Sequence, residues 1–170
     1  SGSAWAALDF APPDNREDGD PFCYVSEYPI TAVADGIIAR IARGIVVLDL
    51  DGDGNEATGW TVFYLHMQVD DTLVVGQAIK VGDTLGHASC QGGFSRATHL
   101  HIARRYNGEW IPADCANCRN NDQVSSFVMT DWAAVGIANQ EYQGYMVNIK
   151  TNQTVVAEQG RNTKINEISW

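Results

Sequence analysis

A run of short segments, rich in β-branched and aromatic residues and separated by glycine, asparagine or aspartate, constrains this chain more than any other feature. Ile30–Ala34, Gly36–Ile41, Gly44–Leu50, Trp60–His66, Thr72–Val75, Thr84–Ala88, His99–Tyr106 and Glu109–Ile111 all read as strands. Asp51-Gly-Asp-Gly-Asn55 reads as a hairpin connection. Tyr106-Asn-Gly-Glu109 reads as another, because Asn-Gly supplies the positive φ of a tight turn. Residues 11–21 form a polar, Pro/Gly-rich loop. Helical periodicity is weak, and only 123–134 suggests one short helix. Alternation resumes toward the end, with strands expected at 142–147, 154–157 and 165–170. The expected class is mostly β, in antiparallel sheets with long loops and little helix. No linker or repeat divides the sequence. The expectation is therefore one domain over 1–170, with a core at 1–111 and a C-terminal β extension at 112–170.

Composition narrows the function. The 170 residues carry 11 Lys and Arg against 21 Asp and Glu, a net charge of −10. Neutralising nucleic-acid phosphates needs clustered cations, so a nucleic-acid partner is excluded, and an anionic membrane surface is disfavoured for the same reason. No stretch is apolar enough to span a bilayer. The nearest, 36–50, is broken by Arg40 and Arg43. With no signal peptide and a serine at position 1, the chain reads as a mature or trimmed piece of a longer precursor.

The four cysteines are Cys23, Cys90, Cys115 and Cys118. Four cysteines allow three connectivities. Cys115 and Cys118 form a C-x-x-C, which suits half a zinc site or a redox pair as well as a disulfide. A four-thiolate site needs a second close pair, and Cys23 and Cys90 stand apart. The favoured reading is Cys23–Cys90 and Cys115–Cys118, which implies an oxidising compartment outside the cytoplasm.

Chemistry concentrates in three short stretches. In Thr98-His99-Leu100-His101, residues two apart on a strand share a face, so two imidazoles would stand side by side. Imidazole is both a zinc ligand and a proton carrier near neutral pH. His66 lies at a strand end in Tyr64-Leu65-His66-Met67, where a hydrogen-bonded surface histidine is the plainer alternative. Asp9 sits in an apolar frame, Leu8-Asp9-Phe10, and an Asp in such a frame is uncommon unless it is paired, hydrogen-bonded or metal-bound.

The order of these motifs, with Val75–Gly86, Gly82-Asp-Thr-Leu-Gly86 and Cys90-Gln-Gly-Gly-Phe-Ser95 between them, resembles the lysostaphin-like zinc metalloendopeptidases, above all the staphylolysin-like branch. The resemblance runs from about Ala4 to Trp110. It implies an extracellular or envelope-exposed hydrolase that cuts peptide cross-links of bacterial peptidoglycan with Zn²⁺. Asp9 and His101 would be zinc ligands, and His66 and His99 would be catalytic proton carriers. The metal would polarise the scissile carbonyl and acidify a water. The family uses a third ligand, a histidine upstream of the aspartate. Trp5 occupies the short-spaced position, and no histidine precedes Asp9 in this sequence. The reading taken is that this ligand lies upstream of Ser1. The alternative is a degenerate, non-catalytic wall-binding or scaffold domain.

Two other features compete. Asp49-Leu-Asp-Gly-Asp-Gly-Asn-Glu56 resembles the start of a calcium loop, but the twelfth position is Trp60 rather than a bidentate Glu. An acidic turn is the preferred reading, and a calcium-stabilised surface domain the rival. His87 reads as a surface or packing residue. Gly92-Gly93 would let a loop approach a substrate closely.

Overall fold

The computed structural model describes residues 3–14, 16–114, 126–158 and 166–168. The chain divides into two compact units, Ala7–Ile111 and the combination of Ser1–Ala6 with Pro112–Trp170. Among the described residues nearly all regular structure is strand, and every pairing between strands is antiparallel. The expected fold class is the observed one.

The larger unit is built from ten strands: β1 (Ala7–Phe10), β2 (Pro29–Thr31), β3 (Gly36–Ala42), β4 (Ile45–Asp49), β5 (Trp60–Leu65), β6 (Met67–Val69), β7 (Ala78–Ile79), β8 (Thr84–Ala88), β9 (Leu100–Tyr106) and β10 (Glu109–Ile111). The main sheet runs β1-β9-β5-β4-β3-β7, with β10 also paired to β9. A smaller sheet runs β2-β8-β6. One edge of β9 is shared, with β1 along 100–103 and β10 along 104–106, while β5 occupies the other.

The core of this unit, drawn from both sheets, is dry. Ile38, Val46, Val47, Leu48, Tyr64, Leu85 and Ile102 are fully buried. Strand β4 has an unbroken apolar run, Ile-Val-Val-Leu, because both its faces are covered. Each such side chain contributes about 1.5–3 kcal/mol on burial. Tyr64 keeps its hydroxyl satisfied by accepting from the Val33 amide at 3.0 Å. Burial pushes its pKa far above the usual phenol value, so it stays neutral.

In the smaller unit β11 (Val128–Met129), β12 (Trp132–Ile137), β13 (Gln140–Asn148) and β14 (Thr154–Val156) form one sheet in that order. This corrects the helix expected over 123–134, of which 126–134 is described. Thr130, at φ 53°, turns the chain between β11 and β12. Trp132 and Ala134 are buried while Ala133 and Val135 are less so, a period of two. Thr72–Val75 is also a turn rather than a strand. The Asp70 carboxylate accepts from the Thr72 amide at 2.8 Å and its hydroxyl at 2.7 Å, and this local closure outcompetes strand pairing. Strands β1, β6 and β7 are too short to register as periodic runs.

The Cys23–Cys90 disulfide is present, with Cα atoms 5.6 Å apart. Cys115 and Cys118 lie outside the described residues. No helix among the described residues is long and apolar enough to cross a membrane.

Candidate active site

Sheet order brings the three chemical stretches together. Asp9 on β1 lies directly opposite His101 on β9, and His101 lies opposite Leu65 on β5. His66 is the next residue after β5, so it arrives at the same end of the sheet. His99 precedes β9 and bridges to Ser89. Asp9, His66, His99 and His101, drawn from distant parts of the chain, thus converge. His87 does not join them, since it lies on β8 opposite Pro29 and Gln68.

The geometry is tight. His101 Nδ1 is 2.9 Å from Asp9 Oδ1, and His99 Nε2 is 3.7 Å from the same oxygen. The His66 ring centroid is 4.7 Å from that of His99 and 6.0 Å from that of His101. His66 is buried, while Asp9 leaves 42 % of its side chain exposed and so opens the cluster to solvent.

Backbone carbonyls set two of the imidazoles. His66 Nδ1 lies 2.9 Å from the Gln91 carbonyl, and His99 Nδ1 lies 2.8 Å from the Ala97 carbonyl. A carbonyl only accepts, so each Nδ1 carries the proton and donates it. Each Nε2 then keeps a lone pair for chemistry. Ser95 also donates to Ala97 O at 2.7 Å.

His66 has φ 63°, a left-handed conformation rare outside glycine, and it turns the chain from β5 into β6. The Ser89 amide bonds its carbonyl at 2.7 Å. The Cys90 loop is tied down by the disulfide. The segment before His99 is tied by Thr98, whose hydroxyl accepts from the Tyr24 amide at 2.8 Å and donates to the Tyr24 carbonyl at 2.7 Å.

Electrostatics follow from this packing. Burial presses the Asp9 carboxyl upward. The hydrogen bond from His101 and the charges of His99, His101 and His66 together outweigh it, and the carboxyl ends below its usual range. His66 is held below the usual histidine value, first by burial. The Gln91 hydrogen bond opposes that, and the neighbouring charges of His99 and His101 add to it.

Asp9, His99 and His101 offer a carboxylate oxygen and two imidazole nitrogens within 4.8 Å of one another. Zinc bonds of about 2.0–2.1 Å place neighbouring tetrahedral ligands about 3.3 Å apart. The Asp9–His101 separation is close to that, and a carboxylate with imidazole is a usual zinc donor set. Asp9 and His101 fit as two of the three protein ligands that a catalytic zinc site takes, and the upstream histidine that supplies the third in the resembled family is not in this sequence.

The second acidic group, Asp49, Asp51 and Asp53, lies in the β4–β5 connection. Asp49 is fully buried, and its two oxygens accept from the amides of Asp51 at 3.2 Å and Gly54 at 2.8 Å. It is a turn-closing residue, in keeping with the acidic turn read from the sequence.

The sequence does not single out the carbonyls of Gln91 and Ala97 or the hydroxyl of Thr98. Main-chain acceptors leave no trace in residue identity. Thr98 and Ser95 do stand within the motifs that carry the resemblance.

No family model and no curated protein matches the sequence. Solved structures do resemble it. Pseudoalterin, a deep-sea M23 metalloprotease, is 16 % identical and superposes with a TM-score of 0.55 over 92 % of this chain and 91 % of its own. LytU is 23 % identical, with a TM-score of 0.45 over 64 % of this chain and 69 % of its own. The catalytic domain of the antimicrobial peptidase lysostaphin from Staphylococcus simulans is 21 % identical, with a TM-score of 0.43 over 64 % of this chain and 88 % of its own. The likeness to pseudoalterin gives this chain the M23 metalloprotease fold.

Proposed function

We propose that this chain, with its M23 metalloprotease fold, is a zinc-dependent endopeptidase that hydrolyses peptide cross-links of bacterial peptidoglycan outside the cytoplasm. The observation that carries the reading is the meeting of Asp9, His66, His99 and His101 at one end of the sheet, with a carboxylate and an imidazole 2.9 Å apart. The motif resemblance and the Cys23–Cys90 disulfide support the substrate class and the compartment.

Asp9 and His101 would hold the metal, through a carboxylate oxygen and Nδ1. Bound zinc supplies Lewis-acid polarisation of the scissile carbonyl and a lowered water pKa. His101 Nδ1 must be free of its proton to bind, so metal loading competes with its hydrogen bond to Asp9. His99 and His66 present Nε2 lone pairs, which lets them take the proton from the attacking water and pass it to the leaving amine. The burial that lowers His66 keeps it neutral, and therefore able to accept, in mildly acidic surroundings.

The test is release of new amino termini from isolated bacterial cell wall and from cross-bridge peptides. Zinc should support release, a chelator should stop it, and added zinc should restore it. A chain that binds zinc stoichiometrically, adheres to wall and releases no amine would instead be a binding domain.

A further inference from the structure

Beside the histidine cluster lies a cavity of about 370 Å³ lined by Arg43, Cys90, Gln91, Gly92 and Gly93. It adjoins the reacting centre directly. A Cβ on Gly93 would stand 3.5 Å from His66 Cε1, and Gln91 is the residue whose carbonyl orients His66. The β3–β4 turn closes the other side. Gly44, at φ 73°, packs so closely that a Cβ there would fall 2.5 Å from Gly92 N.

Among the described residues Arg43, like Arg96, holds no carboxylate. Arg16, Arg40, Lys80, Arg105 and Lys150 each hold a carboxylate. Among the described residues Arg43 is exposed and has neither an ion pair nor a hydrogen bond. The amides of Gly92 and Gly93 are likewise unused within the chain. Gly92, at φ 85°, cannot carry a side chain, since a Cβ would meet Arg43 O at 2.8 Å and Leu65 Cδ1 at 2.9 Å. A guanidinium and two free amides border one polar cavity. That is the donor set of a carboxylate site. With a net charge of −10, the protein repels anions in general, so a local cation here discriminates rather than merely attracts.

We propose that this cavity is an anion subsite that takes a carboxylate of the peptide substrate, and that Arg43 is a specificity-determining residue. The proposal rests on the peptidase reading. An extended residue spans about 3.3–3.6 Å, so a carboxylate one or two residues from the scissile bond reaches the cavity. The shared chemistry is the carboxylate, whether at a peptide terminus or on an acidic side chain.

The experiment uses three probes: triglycine, triglycinamide and Gly-Glu-Gly-amide. Each is titrated into the zinc-free chain and into Arg43→Gln, followed by amide chemical shifts. The expected result is movement of the Gly92 and Gly93 signals and a Kd roughly tenfold lower for triglycine than for its amide, the size of one charge-assisted hydrogen bond. Arg43→Gln should remove that preference, and Arg43→Lys should keep part of it. If Gly-Glu-Gly-amide matches triglycine, side-chain carboxylates are accepted; if it matches triglycinamide, the subsite reads peptide ends. Equal affinity for all three, or a preference that survives Arg43→Gln, overturns the proposal. Amine release by the zinc-loaded chain is scored separately. Hydrolysis with no acid preference leaves the peptidase reading standing without this subsite. Acid preference with no hydrolysis leaves the subsite and removes the peptidase reading.

Discussion

Asp9, His66, His99 and His101 reach one another from three neighbouring strands, whereas Asp49, Asp51 and Asp53 are neighbours along a single loop. Both groups hold side chains that bind metals, and both sit in the same unit. They differ in where the donor atoms are directed. The acidic loop consumes its oxygens internally. Asp49 closes on Asp51 and Gly54, and Asp53 takes the Asn55 amide at 2.7 Å and the Thr58 hydroxyl at 2.7 Å. The Asp51 carboxyl is even pushed upward by its hydrogen bond with Asp49. At the histidine cluster, backbone carbonyls take the Nδ1 protons of His66 and His99 and leave Nε2 unspent. Asp9 and His101 meet each other at 2.9 Å across two strands, a contact that a bound cation would replace, whereas the loop aspartates are closed on the amides of their own turn.

That contrast can be broken at several points. The largest effect is expected at His101. His101→Ala should abolish turnover and lower zinc affinity by more than about 100-fold, because even outer-shell partners cost about 10–100-fold. Zinc retained in full by this variant would show the ligand assignment to be wrong. Replacing His66 or His99 by alanine should cost about 10²–10⁴ in kcat while most of the zinc stays bound, the signature of lost acid–base catalysis. Parallel metal analysis and kinetics separate the two classes.

Asp49→Ala addresses the other region. It strips the acceptor from two loop amides and should destabilise the protein by about 1–3 kcal/mol in urea titrations, with zinc affinity unchanged. A pH effect comes next. The folded-state pKa of His66 lies below the ordinary histidine value of about 6.5, so the unfolded chain takes up a proton first as pH falls. The stability this residue confers is complete above about pH 6.5 and is lost as pH descends through the folded value. In the zinc-free protein, His66→Gln should flatten that part of the stability profile, read from urea midpoints at pH 7.5 and 5.5. The smallest effect is calcium. Adding it should leave the melting temperature unmoved, because a ligand stabilises only where the folded state binds it. A calcium-dependent rise would revive the acidic loop as a site.

How much of this was legible beforehand depended on range. The long runs at β3, β4, β5 and β9 carry enough period-two or continuous apolar signal to be read directly. The H-x-H pair announces a shared face because strand geometry is local. The same local logic failed at 72–75, where the Asp70 side chain closes a turn inside a β-prone run. It failed again at 126–134, where alternation resumes only after Thr130 turns the chain. That Asp9 lies opposite His101, or that Arg43 faces Gly92 and Gly93, follows from sheet order, and no window of sequence contains both partners.

The most direct check on the convergence of these residues is a zinc titration followed through the imidazole ¹⁵N shifts of the four histidines. His101 Nδ1 should move to the position of a metal-bound nitrogen, with His66 and His99 perturbed beside it and His87 unchanged. A metal-bound signal at His87, or none at His101 in excess zinc, would contradict the account.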